Sequence, residues 1–271
     1  MTRAFRLIGL AGLAGLIGFA GLAGCGDDGP IPGPTASDGV STSATTATLP
    51  ATTTTTTAPP EPPYLNRVAF TAAAVRSVKI YDGPGGTPVR EIANPNEHGV
   101  PTVFLVRQHD VADAAGGRWH EVYLPVKPNG STGWISATDA EVQTNTVRLS
   151  IRRAEHELTY SKDGVAVAVY PIGVGRTGTE TPVGTYFIKE LLQPTSSGGS
   201  YGPYAYGLSG FSSSVELGAE FGDGVIGIHG TNEPSKVGTD VSHGCIRLRN
   251  ADITALVDAA LPLGTPVEIL D

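Results

Sequence analysis

From Tyr64 to Asp271 the chain is cut by Gly, Pro, Asn and Asp clusters into apolar-rich runs of five to seven residues, and this punctuation limits what it can fold into. Runs of that length suit strands, whereas a helix needs about ten to twelve residues with apolar side chains recurring every three or four. Gly and Pro number 36 and 21 while charged residues make up only 16%, which favours a turn-rich β protein over a helical bundle. One stretch has helical spacing: Ile253, Leu256, Val257 and Ala260 follow Asn250 as an N-cap, and Pro262 ends the run. Many strands and one helix predict a β-sandwich or barrel, not a doubly wound sheet.

The N-terminal part obeys different rules. Arg3 and Arg6 precede an uncharged, glycine-rich apolar run, Leu7 to Gly24, ending in small residues before Cys25. This reads as an export signal over residues 1–24 and not as a membrane span. Leu22-Ala23-Gly24-Cys25 resembles the lipobox of bacterial lipoproteins, which implies cleavage before Cys25, lipidation of its thiol, and anchoring to the outer face of the cytoplasmic membrane. The tract after it, residues 25–63, is Thr, Ser, Ala, Gly and Pro, with Thr52 to Thr57 in one run and Pro59-Pro60-Glu61-Pro62-Pro63 at its end. It cannot bury a core, so it reads as a disordered tether. A coil of this length spans roughly 35 Å. The formal charge of −8 becomes −10 once Arg3 and Arg6 leave with the signal, which makes nucleic acid a poor partner.

Residues 64–145 predict a small all-β unit. Val75 to Tyr81, Thr102 to Val106 and Trp119 to Pro125 are strand-like, with turns at Asp82 to Gly86 and Lys127 to Gly130. Trp119-x-x-Val122-x-Leu124, a turn, then Gly133-Trp134-Ile135 resembles the closing hairpin of bacterial SH3-like domains, which implies wall binding or docking onto the next segment. His98, His109 and His120 are expected to be solvated or satisfied by hydrogen bonds.

Residues 146–271 carry the chemistry. Strands are expected at Thr146 to Ile151, Glu157 to Ser161, Gly164 to Tyr170, Gly184 to Lys189, Gly224 to Ile228 and Pro266 to Leu270. Gln193 to Asp223 reads as a long loop bearing Tyr201, Tyr204, Tyr206 and Phe211, suited to a binding flap, with Tyr204 as a candidate substrate contact.

Cys245 lies two positions after His243 and sixteen after His229. With Cys25 lipidated it is the one free thiol of an exported chain, and a thiol needs a histidine to become an effective nucleophile. If the stretch is extended, His243 points to the same face as Cys245, while His229 must arrive from the end of the apolar run Val225 to Ile228. Gly244 permits close approach, so the N–H groups of Gly244 and Cys245 are candidates for an oxyanion hole. Ser242 is a candidate hydrogen-bond partner of the site. Arg247 either binds a substrate carboxylate or braces the cysteine loop.

Ile228-His229-Gly230-Thr231-Asn232, then Ser242-His243-Gly244-Cys245-Ile246-Arg247-Leu248, with Thr181-Pro182-Val183-Gly184-Thr185 upstream, resembles the L,D-transpeptidase catalytic domain of the YkuD family. The resemblance implies a β-sandwich domain that acts on peptidoglycan stem peptides. It further implies Cys245 as nucleophile, His229 as base with its ring oriented by the Gly230 carbonyl, and His243 in a supporting or substrate-facing role, with no metal or cofactor. The reaction implied is a 3→3 cross-link with release of D-alanine from a tetrapeptide stem. Alternatives are L,D-carboxypeptidase action on the same stems, a zinc site built from His229, His243 and Cys245, or a wall-tethering lipoprotein without activity.

Overall fold

The computed structural model describes residues 5–7, 68–212 and 224–271. The expected signal sequence beyond Leu7, Cys25 as the expected lipidation site and the expected tether lie outside the described residues. Strand β1 (Phe5–Leu7) pairs antiparallel with Leu192 to Pro194. Among the described residues no helix is long and apolar enough to cross a membrane.

The upstream part is one seven-stranded sheet. Its strands are β2 (Ala69–Ala74), β3 (Val78–Tyr81), β4 (Pro88–Ile92), β5 (Val103–Ala112), β6 (Arg118–Tyr123), β7 (Thr132–Ser136) and β8 (Ala140–Asn145), in the order β4-β3-β7-β6-β5-β2-β8. Alternation puts Val78, Ile80, Phe104, Val122 and Ile135 into a common core. Residues 75–77 turn instead of opening β3, and Val75 stays exposed. His120 is buried and its Nδ1 accepts the Asp110 N–H, His109 lies over Phe70, and His98 bonds Glu190.

The second part has strands β9 (Val147–Arg152), β10 (Glu157–Lys162), β11 (Val165–Pro171), β12 (Val174–Gly175), β13 (Gly184–Pro194), β14 (Ala205–Phe211), β15 (Val225–His229), β16 (Asp240–Ser242), β17 (Ile246–Arg247) and β18 (Pro266–Leu270), with helix α1 (Asn250–Asp258). The long β13 is the corner of the architecture. Its first half, Gly184 to Phe187, pairs with β18, and its second half, Ile188 to Leu192, pairs with β14. One strand thereby joins the run β11-β10-β9-β18 to the run β14-β15-β17, as strands that switch sheets do in sandwiches. The core between them holds Leu149, Ile151, Leu158, Ile188, Leu208, Ile228, Ile246, Ile253 and Leu256.

Two sequence expectations are corrected. Gln193 to Asp223 is not a single loop: β13 runs to Pro194 and β14 starts at Ala205, leaving residues 195–204 as the described connection. The glycines of β14 suggest a loop in sequence, but they leave room for large neighbours. A Cβ on Gly210 would lie 2.4 Å from the Tyr186 ring, and one on Gly207 would lie 2.6 Å from Glu190 Oε1. Tyr206 is accordingly a core residue of β14. Asn250 is not the N-cap of α1: Arg249 holds that position, and the Asn250 side chain accepts the Thr231 N–H at 2.8 Å. Ala260, at φ +52°, closes the helix before Pro262.

The two sheets are knit together. Phe187 of β13 is buried in the upstream core, Asn129 exchanges two hydrogen bonds with the Phe211 backbone at 2.8 and 2.9 Å, and Asn145 Nδ2 donates to Thr265 Oγ1 at 3.1 Å.

Candidate active site

The site follows from the register of β15 against β17. These strands run parallel with Ile228 beside Ile246 and His229 beside Arg247. Ile228 and Ile246 are fully buried, so the alternate residues Gly227, His229, Cys245 and Arg247 belong to the opposite face. Cys245 stands just before β17, level with Gly227, and a backbone hydrogen bond from Gly227 reaches its thiol. The row continues across the sheet from Gly227 to Gly207 and Glu190. Two adjacent glycines make a flat floor between the thiol and a carboxylate. Three strand spacings of about 4.8 Å put those two rims roughly 14 Å apart at the backbone.

His229 and Cys245 line one cavity of about 180 Å³, with Glu190, Leu192, Tyr201, Ala205 and Gly207 among its walls. The His229 Nδ1 lies 2.6 Å from the Gly230 carbonyl. A carbonyl only accepts, so Nδ1 carries the proton and Nε2 of the neutral ring keeps its lone pair. Burial pushes the His229 pKa down to about 4, with the Gly230 hydrogen bond opposing it and the Arg247 charge adding to it. The Cys245 thiol is pushed up by burial, against the Gly227 hydrogen bond and the Arg247 charge, which both favour thiolate. The resting pair is thus neutral thiol and neutral imidazole. The Tyr201 ring packs 4.7 Å from that of His229.

His243 faces another way. Its Nε2 accepts from the Arg176 guanidinium at 2.7 Å, and because Arg has no acceptor this nitrogen is occupied. Ser242 Oγ donates to the Cys245 carbonyl at 2.6 Å and accepts the Gly244 N–H at 3.1 Å. The Gly244 N–H, expected to face an oxyanion, is bonded to Ser242 Oγ. Gly244 itself has φ +118° and Ser212 close by, so only glycine fits. The Thr181 hydroxyl accepts the Gly175 N–H at 2.8 Å, and Thr179 and Arg176 both donate to the Ser242 carbonyl, so this upstream motif supports the cysteine loop from below. Arg247 pairs with the Glu233 side chain at 3.1 Å, in the segment that follows β15.

Tyr204 packs against the core instead of lining the cavity; its carbonyl accepts the Gly230 N–H at 3.3 Å. Tyr201 lines the cavity in its place. Glu190 and His98 also line it, and no sequence motif pointed to either.

The model of the YkuD family, the L,D-transpeptidase catalytic domain, matches residues 146–269. A Bacillus subtilis protein named as L,D-transpeptidase YkuD is 37% identical over 112 residues, covering 41% of this chain and 58% of that protein. Another from the same organism, named as L,D-transpeptidase YqjB, is 31% identical over 131 residues, covering 45% of this chain and 69% of its own. The chain belongs to the L,D-transpeptidase family. A crystal structure of an L,D-transpeptidase from Mycobacterium tuberculosis aligns with 73% of this chain and 98% of its own at 17% identity and a TM-score of 0.39. The chain spans little more than half the length of several curated L,D-transpeptidases it matches.

Proposed function

We propose that this chain is an exported, lipid-anchored L,D-transpeptidase that forms 3→3 peptidoglycan cross-links through a Cys245 thioester. The observation that carries this reading is the shared cavity of Cys245 and His229, with the Gly230 carbonyl holding the ring so that Nε2 is free to accept a proton. As Sγ attacks the carbonyl of the third residue of a tetrapeptide stem, His229 takes the thiol proton. The tetrahedral oxyanion is stabilised by the Cys245 N–H, a contribution of about 3 kcal/mol for one such donor. Collapse breaks the amide C–N bond, and the imidazolium gives its proton to the departing D-alanine amine. An amine from a neighbouring stem then attacks the thioester; a C–N bond forms, the C–S bond breaks, and the amine's proton passes through His229 to the sulfur. Water in place of the amine gives L,D-carboxypeptidase activity by the same steps.

His243, pinned by Arg176, and Ser242, bonded at both ends of the loop, hold the cysteine in place. Residues 1–24 are the signal, Cys25 the lipidated residue and residues 25–63 the tether that lets the folded part reach the wall. Residues 64–145 form an SH3-like unit docked on the catalytic unit, residues 146–271. Intact-mass spectrometry after incubation with a tetrapeptide stem tests the chemistry. The expected product is an adduct on the wild-type chain with loss of D-alanine and none on Cys245→Ala. An unmodified wild-type protein overturns the assignment.

A further inference from the structure

The cavity around Cys245 has a second chemical feature that the nucleophile and base do not use. Opposite the thiol, across the Gly227 and Gly207 floor, stands Glu190, a carboxylate only 3% exposed in its side chain. A buried carboxylate on a substrate cavity is costly unless it is held or used. Its place there depends on an irregularity: the pairing of β13 with β14 shifts register between Ile188 and Glu190. Strict alternation would send Lys189 and Glu190 to opposite faces, but the shift lets both line the cavity.

The partners of Glu190 come largely from the other sheet. His98 Nδ1 lies 2.6 Å from Oε2, Asn96 Nδ2 donates to the same oxygen at 3.3 Å, and Lys189 Nζ is 3.4 Å from Oε1. Lys189 also reaches Glu97, at 3.7 Å, so the two carboxylates, Glu190 and Glu97, share the single Lys189 ammonium. Oε1 lies over Gly207, where a Cβ would come within 2.6 Å of it, so the side chain leans from its own strand β13 over β14.

We propose that Glu190 determines substrate specificity by receiving the side-chain ammonium of a diamino acid at the third position of the donor stem, and that His98 and Asn96 of the upstream unit aim it. This rests on the acyl-transfer reading above. The dimensions agree. A side chain with a terminal amine reaches about 6 Å from its Cα, and the Cys and Glu side chains shorten the roughly 14 Å between their strands to a gap of that order. An ammonium there supplies a second cation to two carboxylates, and its pairing with a buried carboxylate strengthens as the cavity loses water.

The test compares two donor tetrapeptides that differ only at the third residue, lysine against its Nε-acetyl form, with Cys245 acylation followed by mass on the full chain. The wild type is expected to acylate at least tenfold faster, in kcat/KM, with the free amine. Glu190→Gln, which keeps the shape and the acceptor oxygen, is expected to bring the two substrates within about threefold of each other, the larger loss falling on the free amine. His98→Ala, at an exposed position, is expected to reduce the discrimination partway. Equal slowing of both stems in Glu190→Gln marks a merely structural residue and overturns the proposal, as does a wild type that does not discriminate. A wild type that forms no adduct with either stem overturns the acyl-transfer reading itself.

Discussion

The chemistry at the residue scale turns on two pKa values moved in opposite directions by the same burial. An unfolded histidine titrates at about 6.5, and His229 in the fold only at about 4. Between those values the unfolded chain binds the proton that the folded one refuses. His229 therefore lends its stability in full above pH 6.5 and loses it as pH falls toward 4, a drop of about 3 kcal/mol. Denaturant melts at pH 7 and 4.5 should show it, and His229→Gln should flatten that part of the curve. The acid limb of Cys245 acylation is expected close to pH 4 and not at the usual histidine value. His229→Ala should abolish acylation, whereas His243→Ala should slow it about tenfold through a looser cysteine loop, because the His243 Nε2 is already bonded to Arg176. The reverse ranking in single-turnover rates would move the base to His243.

Among the elements, the loop after β15 and the first turn of α1 form one unit through Asn250. Its Oδ1 accepts the Thr231 N–H, and a Cβ on either Gly202 or Gly230 would fall within 2.4 Å of that oxygen. Asn250→Ala strands the Thr231 N–H and is expected to cost about 1 to 3 kcal/mol, with acylation slowed further as the Gly230 carbonyl loses its position against His229. Thermal melts paired with single-turnover rates check both. The helix itself was legible from its spacing, and so were most strands of the second sheet, because their alternation is local. The role of Asn250 was not: an Asn before a helical run reads as a cap, and only the neighbouring loop reveals that its side chain is used elsewhere. The same reason hid β14, whose Gly207 and Gly210 look like loop residues until Glu190 and Tyr186 fill the space they leave.

For the whole molecule, the two sheets are coupled by a side chain exchanged between cores. Phe187 belongs by sequence to β13 and by packing to the upstream core, 1% exposed among Phe104, Leu105 and their neighbours. Phe187→Ala is expected to cost about 3 to 5 kcal/mol. Since the residue lies on the strand that also carries Glu190, the loss should appear in calorimetry as a lower and broader transition in place of the single one expected for the wild type. An unchanged transition temperature would show that the contact contributes little.

The sequence alone determined the β character, the single helix, the cysteine with its two histidines, and the family signature, because each rests on periodicity, turn chemistry or residues close together in the chain. Tertiary structure decided what depends on neighbours distant in sequence. It placed His229 on the cavity of Cys245 by the parallel register of β15 and β17, turned His243 to Arg176, gave the Gly244 N–H to Ser242, and brought His98 from the upstream sheet to Glu190. The physical reason is the same each time: a hydrogen bond or a burial term belongs to a pair of groups, and one linear string does not say which pair will meet.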